Sequence, residues 1–245
     1  MKTEIIQNLF ELWDTIGQRT HSLHRGPSYR YVAGPEASWP SRIYDVVTEG
    51  LDVKRLASDM KSGGLPQSLA IEDHTKHADL FRGTPLRYTS GVRTMALDLD
   101  KGPTPLVENP EPAKPFIEVQ SSDHARIFSE VASAAFGYPV ARATVSALLG
   151  DQRLKMYLHI AGGAYAGCGL LFLDSRGHAG LHMIGTHPGF RGQGLGRAMS
   201  VKLRSEAMRL HSQKAVLVAS QAGERIYTKL GFKAYGTLHT YILQP

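Results

Sequence analysis

Residues 182–199, HMIGTHPGFRGQGLGRAM, constrain this chain more than any other stretch. An apolar run meets a Pro-Gly turn, and three alternating glycines follow at Gly192, Gly194 and Gly196. A helical stripe then begins, with Leu195, Met199, Leu203, Ala207 and Leu210 on one face. The first N–H groups of a helix have no partner inside it, and its dipole leaves partial positive charge there. Glycines let a ligand approach the main chain closely. The junction is therefore an anion site, suited to a phosphate or pyrophosphate. Arg191 before the glycines and Arg197 after them reinforce it. A plain strand-to-helix turn would not call for three glycines.

Two nucleotide motifs fail on position. A Walker loop needs Gly-Lys-Ser/Thr where this chain has Gly196-Arg197-Ala198. A dinucleotide loop needs G-x-G-x-x-G, but Arg197 stands where the third glycine should follow Gly192 and Gly194. Met199 stands there if the count starts from Gly194 and Gly196. What remains is Arg191-x-x-Gly194-x-Gly196.

The pattern around this loop predicts its setting. Ile5, Ile6, Leu9, Phe10, Leu12, Trp13 and Ile16 give residues 3–18 the stripe of a helix. Short strands are expected at 29–33, 42–47, 68–72 and 93–99, with a helix at 53–61. The segment RTMALDL within 93–99 reads as an edge strand. Pro103, Pro105, Pro110, Pro112 and Pro115 then interrupt the chain, and proline neither donates to a ladder nor continues a helix. We expect an N-terminal domain at 1–100, a linker at 101–115 and a second domain at 116–245. In the second domain a strand at 116–120 precedes a helix capped by Ser122 or Asp123 and another at 140–149. Strands at 154–160, 164–173 and 179–186 have short connections and should be antiparallel. The apolar run at 215–219, a helix at 223–230 ended by Gly231, and a last strand complete the order.

Composition narrows the class. The net charge of +6 comes from scattered Lys and Arg, without a basic block or zinc-finger spacing, so no nucleic-acid partner is expected. No apolar run nears the roughly 18 residues of a membrane span. Acidic and polar residues break the apolar N-terminus, so it does not read as a signal peptide. Cys168 is the single cysteine and excludes an intrachain disulfide. The expected setting is cytoplasmic, without a membrane and without a metal.

The motif Arg191-x-x-Gly194-x-Gly196 resembles the pyrophosphate loop, Q/R-x-x-G-x-G/A, of the GCN5-related N-acetyltransferase (GNAT) family. Residues 219–232, ASQAGERIYTKLGF, are similar to that family's second signature, with a tyrosine four residues before Gly-Phe. The order of elements from 116 to 245 matches as well. The resemblance implies an α+β acyl-CoA N-acyltransferase fold, a mixed and mostly antiparallel sheet flanked by helices. Residues 1–100 are then expected to be a degenerate domain of similar fold, as in tandem members, or a substrate cap.

The resemblance also implies a chemistry. Acetyl-coenzyme A would wedge between strands 179–186 and 215–219, with its pantetheine arm along Ile184, Gly185 and Thr186. Its pyrophosphate would meet Arg191, Gly192, Gln193, Gly194, Leu195, Gly196 and Arg197. Ser220 falls where many relatives carry an asparagine on the cofactor. A small-molecule or peptide amine would attack the thioester directly, and Tyr227 matches the residue that protonates the departing thiolate. The strand before the loop has no acid. His178 and His182 share one face of it and are the candidates for a general base. The alternative is an acyl-coenzyme A-binding sensor or partner-binding module without catalysis.

Overall fold

Apolar residues at three- and four-residue spacing make Lys2–Arg19 a single helix, α1. Its buried stripe holds Leu9, Phe10, Leu12, Trp13 and Ile16, and Asn8 is buried among them. The computed structural model describes residues 1–72, 79–100 and 115–244. Apart from Pro115, the expected linker lies outside these residues.

Three short strands follow α1: β1 (Leu23–Arg25), β2 (Arg30–Val32) and β3 (Arg42–Tyr44). Helix α2 (Val53–Lys61) starts at Asp52, whose carboxylate accepts the Arg55 N–H at 3.0 Å. Strand β4 (Ser68–Ile71) precedes β5 (Leu86–Asp98). In the second half come β6 (Phe116–Glu118), α3 (Ser122–Phe136), α4 (Arg142–Ala147), β7 (Leu154–Ala161), β8 (Ala164–Leu173) and β9 (Ala179–Thr186). The chain ends with α5 (Leu195–Arg209), β10 (Lys214–Ala219), α6 (Gln221–Lys229) and β11 (Lys233–Leu243). The cap of α3 is Ser121 rather than Ser122 or Asp123: its hydroxyl accepts the His124 N–H at 3.2 Å. Helix α6 closes as expected, with the Gly231 and Phe232 N–H groups on the Thr228 and Tyr227 carbonyls, both at 3.0 Å.

The eleven strands among the described residues belong to one sheet, in the order β1-β2-β3-β4-β11-β5-β10-β9-β8-β7-β6. Pairing from β6 to β9 is antiparallel, while β9 with β10 and β3 with β4 are parallel. The protein is thus α+β, with a mixed, mostly antiparallel sheet flanked by helices. The segment expected as an edge strand is interior. Strand β5 pairs along β10 from Arg93 to Asp98 and along β11 from Leu86 to Ala96. The C-terminal strand β11 lies between β4 and β5, so strands from both halves of the chain interleave.

The sheet is covered on both faces. Adjacent residues Leu170 and Leu171 fall in different apolar clusters, as alternation along a strand requires. One cluster joins Leu9, Phe10 and Trp13 of α1 to Phe128 and Val131 of α3. The other joins Met95 and Leu97 of β5 to Met199 and Leu203 of α5 and Tyr227 of α6. Each such side chain, fully buried, contributes about 1.5–3 kcal/mol. Helix α1 therefore packs on the same face as α3, although 100 residues of sequence and more separate them. Among the described residues no helix is long and apolar enough to cross a membrane.

Candidate active site

The site begins where two parallel strands part. Strands β9 and β10 pair only at Ala215 with Ala179 and at Val216 with Gly180. Beyond these residues β10 stays with β5, and β9 stays with β8. A bulge in β9 bends it. Cys168 pairs with Gly185 and Leu170 with His182, so Met183 and Ile184 together oppose Gly169. Met183 takes a left-handed backbone, φ 50°, and its carbonyl accepts the Cys168 thiol at 3.3 Å. Burial pushes the Cys168 thiol up to about 12, which keeps it protonated within the core.

The glycine loop stands at the open end of this gap. Gly194 caps α5 with φ 75°, a backbone that a side chain rarely adopts. The first α5 N–H with a main-chain acceptor is that of Ala198, on the Gly194 carbonyl at 3.0 Å. The N–H groups of Leu195, Gly196 and Arg197 begin the helix and point out of it. The Arg191 guanidinium donates to the Ala135 carbonyl at 2.9 Å and ties the loop to the end of α3. A Cβ on Gly196 would sit 3.7 Å from Ile226 Cδ1, an ordinary contact, so packing within the protein does not demand glycine there.

A cleft of about 940 Å³ fills the gap. Ile184 and Thr186 line it, as do Arg191, Gly192, Gly194, Leu195, Gly196 and Arg197 of the loop. Ser220, Tyr227 and His182 line it too. Gly185 and Gln193 do not. Gly185 instead faces α3, because a Cβ there would meet Ala135 Cβ at 2.8 Å and Cys168 Sγ at 3.2 Å. The Ser220 hydroxyl caps α6 by accepting the Gly223 N–H at 3.2 Å.

Tyr227 is 8% exposed, and burial pushes its phenol up to about 12 against a smaller lowering by the Ser200 hydroxyl. Its ring meets Phe232 edge-on, with centroids 5.8 Å apart. Gly223, one turn earlier on the same helix, leaves room for the ring: a Cβ there would lie 3.1 Å from Tyr227 Cε2.

The two histidines part company. His182 lies in the cleft wall, where its Nε2 and the Asn8 Oδ1 are 2.8 Å apart. Burial lowers its pKa from 6.5 to about 3. It is neutral near pH 7, and a base this weak does not hold a proton taken from an ammonium. His178 is outside the cleft lining, one residue before the paired end of β9, with Nδ1 3.7 Å from Asp174 Oδ2. It is placed away from the reaction space that the expectation of a base required.

Leu9, Trp13, Trp39, Arg42 and Tyr138 form a further part of the wall that the motifs did not reveal. The first four belong to the first hundred residues. A polar Asn8 on the apolar stripe of α1 was the one local signal that this helix serves more than packing. Among the described residues no group of three or more His, Cys, Asp or Glu side chains is placed to hold a metal.

Comparison with known proteins agrees with this architecture. Residues 124–239 match the family described as acetyltransferase (GNAT) domain. No curated protein matches the chain. Among solved structures, a GCN5-related N-acetyltransferase from Kribbella flavida is similar over 96% of this chain and 95% of its own, with TM-score 0.65 and 15% identity. A functionally unknown conserved protein from Staphylococcus epidermidis is similar over 90% and 92%, with TM-score 0.61 and 11% identity. A GCN5-related N-acetyltransferase from Sphaerobacter thermophilus is similar over 95% and 86%, with TM-score 0.58 and 15% identity. At these identities the structural likeness speaks for the fold.

Proposed function

We propose that this chain, whose residues 124–239 match the acetyltransferase (GNAT) domain family, transfers an acetyl group from acetyl-coenzyme A to an amine. One observation carries the reading: β9 and β10 part beside a helix start that is built to bind an anion. The donors present suit a diphosphate. Leu195, Gly196 and Arg197 offer N–H groups without partners in the helix, with Arg191 and Arg197 beside them. When bound there, acetyl-coenzyme A supplies an activated thioester carbonyl.

The protein's own groups divide the remaining work. Ile184 and Thr186 line the gap on an edge of β9 that β10 has left unpaired, so main-chain groups there can hold an extended arm. Tyr227 keeps its proton on Oη at neutral pH and can donate it to a departing thiolate. His182 stays neutral and forms wall rather than proton store. The amine therefore loses its proton to water or enters as the free base. Residues of the first half complete the acceptor side.

Calorimetry with acetyl-coenzyme A, followed by coenzyme A release across a panel of amines, tests the proposal. One site per chain and release with at least one amine are expected. Binding without release by any amine would favour the second reading, an acyl-coenzyme A-binding module. The weak basicity of His182 is the observation on its side. Absence of binding would reject both.

A further inference from the structure

The charged side chains lining the cleft are all cationic: Arg42, Arg191, Arg197 and Lys229, with no Asp or Glu among the described residues there. Arg191 and Arg197 flank the glycine loop, but Arg42 belongs to another part of the wall. It is the first residue of β3 and shares that wall with Trp13, Trp39 and Tyr138. The Arg42 guanidinium lies over the Trp13 ring, 4.8 Å from the centroid. Its charge acts on Tyr138, drawing that phenol down against the larger upward push of burial. The loop bearing Tyr138 is pinned where the Trp39 N–H donates to the Pro139 carbonyl at 2.8 Å.

Among the described residues Arg42 has no carboxylate partner, and its buried Nε donates to nothing. The acids of α1 that could have neutralised it are engaged elsewhere. Asp14 accepts from Tyr44 at 2.6 Å and pairs with Arg25 and Arg30. Glu11 accepts from the Ser175 N–H at 2.9 Å and lies 3.6 Å from Arg153. A guanidinium whose face rests on an indole leaves its in-plane N–H groups free, and those form the fork that fits a carboxylate. A partly desolvated, uncompensated cation draws an anion strongly. A polycationic amine would meet only like charge in this cleft.

We propose that Arg42 anchors the carboxylate of the acetyl acceptor, which is a free amino acid whose apolar or aromatic side chain packs against Trp13, Trp39 and Tyr138. The inference rests on the acetyl-transfer reading and specifies its substrate class.

The test uses matched pairs: leucine, methionine, phenylalanine and tryptophan, each against its own amide, which keeps the amine and side chain and removes the carboxylate. For the best acceptor, kcat/KM should exceed that of its amide by at least about tenfold, as loss of a charge-assisted pair implies. Arg42→Met should bring the two within about twofold while the Kd for acetyl-coenzyme A stays unchanged, and Arg42→Lys should retain part of the preference. Amides that react as well as the acids would overturn the proposal. So would an Arg42→Met variant that loses acetyl-coenzyme A affinity and keeps the acid-to-amide ratio. If the variants do not fold, the matched pairs on the native protein still decide. If no transfer occurs at all, the acetyl-transfer reading fails separately. Calorimetric titration of the same pairs into the native protein then decides, with equal affinity for acid and amide, or binding of neither, counting against Arg42.

Discussion

Asn8 of α1 and His182 of β9, 174 residues apart in sequence, are hydrogen-bonded at 2.8 Å in the wall of the cleft. The Asn8 Nδ2 donates to the His178 carbonyl at 3.1 Å, so its Oδ1 is the acceptor that faces His182. His182 Nε2 must then carry the hydrogen, and Nδ1 keeps the lone pair. Gly180 makes room for this bond. A Cβ there would fall 1.9 Å from Asn8 Oδ1 and 2.2 Å from His182 Nε2.

Removing either element of this contact should therefore destabilise the fold. Asn8→Leu leaves a buried imidazole N–H without an acceptor, a loss of about 1–3 kcal/mol. Gly180→Ala should lower stability similarly, because the hydrogen-bonded pair must separate. Urea unfolding checks both, and a midpoint unchanged in Asn8→Leu would show the bond to be incidental.

The same histidine makes stability depend on pH. It titrates near 6.5 when unfolded and about 3 when folded. Between these values the unfolded chain binds the extra proton, so the contribution is complete above about pH 6.5 and is lost progressively as pH falls towards about 3. Comparing urea midpoints at about pH 7.5 and about pH 5 should show a smaller difference in His182→Gln than in the native protein. Equal differences in both proteins would assign the pH dependence to other groups, His178 among them.

Tyr227→Phe keeps the ring packed on Phe232 and removes the proton. Single-turnover acetyl transfer should fall by about 10²–10⁴-fold, with little change in acetyl-coenzyme A affinity. An unchanged single-turnover rate would make Tyr227 a core residue. A large loss of affinity would make it a cofactor contact.

The glycine loop separates backbone strain from ligand contact. Gly194→Val places a β-branched residue at φ 75° and should abolish acetyl-coenzyme A binding by distorting the loop. Gly196→Ala meets only ordinary contacts in the protein itself, so its thermal unfolding should match the native chain. Its affinity should nevertheless fall if a pyrophosphate rests on that backbone. Retained affinity in Gly196→Ala would place the phosphates elsewhere along the loop.

What the sequence alone determined is what local chemistry decides. The glycines at 192, 194 and 196 announced a helix start open to an anion, and the same residues line the cleft. Gly231-Phe232 set the register that points Tyr227 into it. Short turns between β7, β8 and β9 left little choice but antiparallel pairing. Periods of 2 and 3.6 residues and turn preferences act over a few neighbours, so these features were legible.

Pairing partners and burial belong to distant parts of the chain, and only the tertiary structure decided them. RTMALDL read as an edge because nothing local tells a strand how many neighbours it will have, yet β10 and β11 flank it. His178 and His182 looked alike at i and i+4. Packing of α1 desolvated one of them, while the parting of β9 from β10 left the other at the closed end. Ser220 lines the cleft and also caps α6, which begins one residue after it, a role that the motif did not show. Arg42 lacks a carboxylate partner among the described residues because folding engaged Asp14 and Glu11 elsewhere and set the guanidinium on Trp13. The charge balance of a cleft is a sum over residues that the fold assembles, and no local window of sequence contains it.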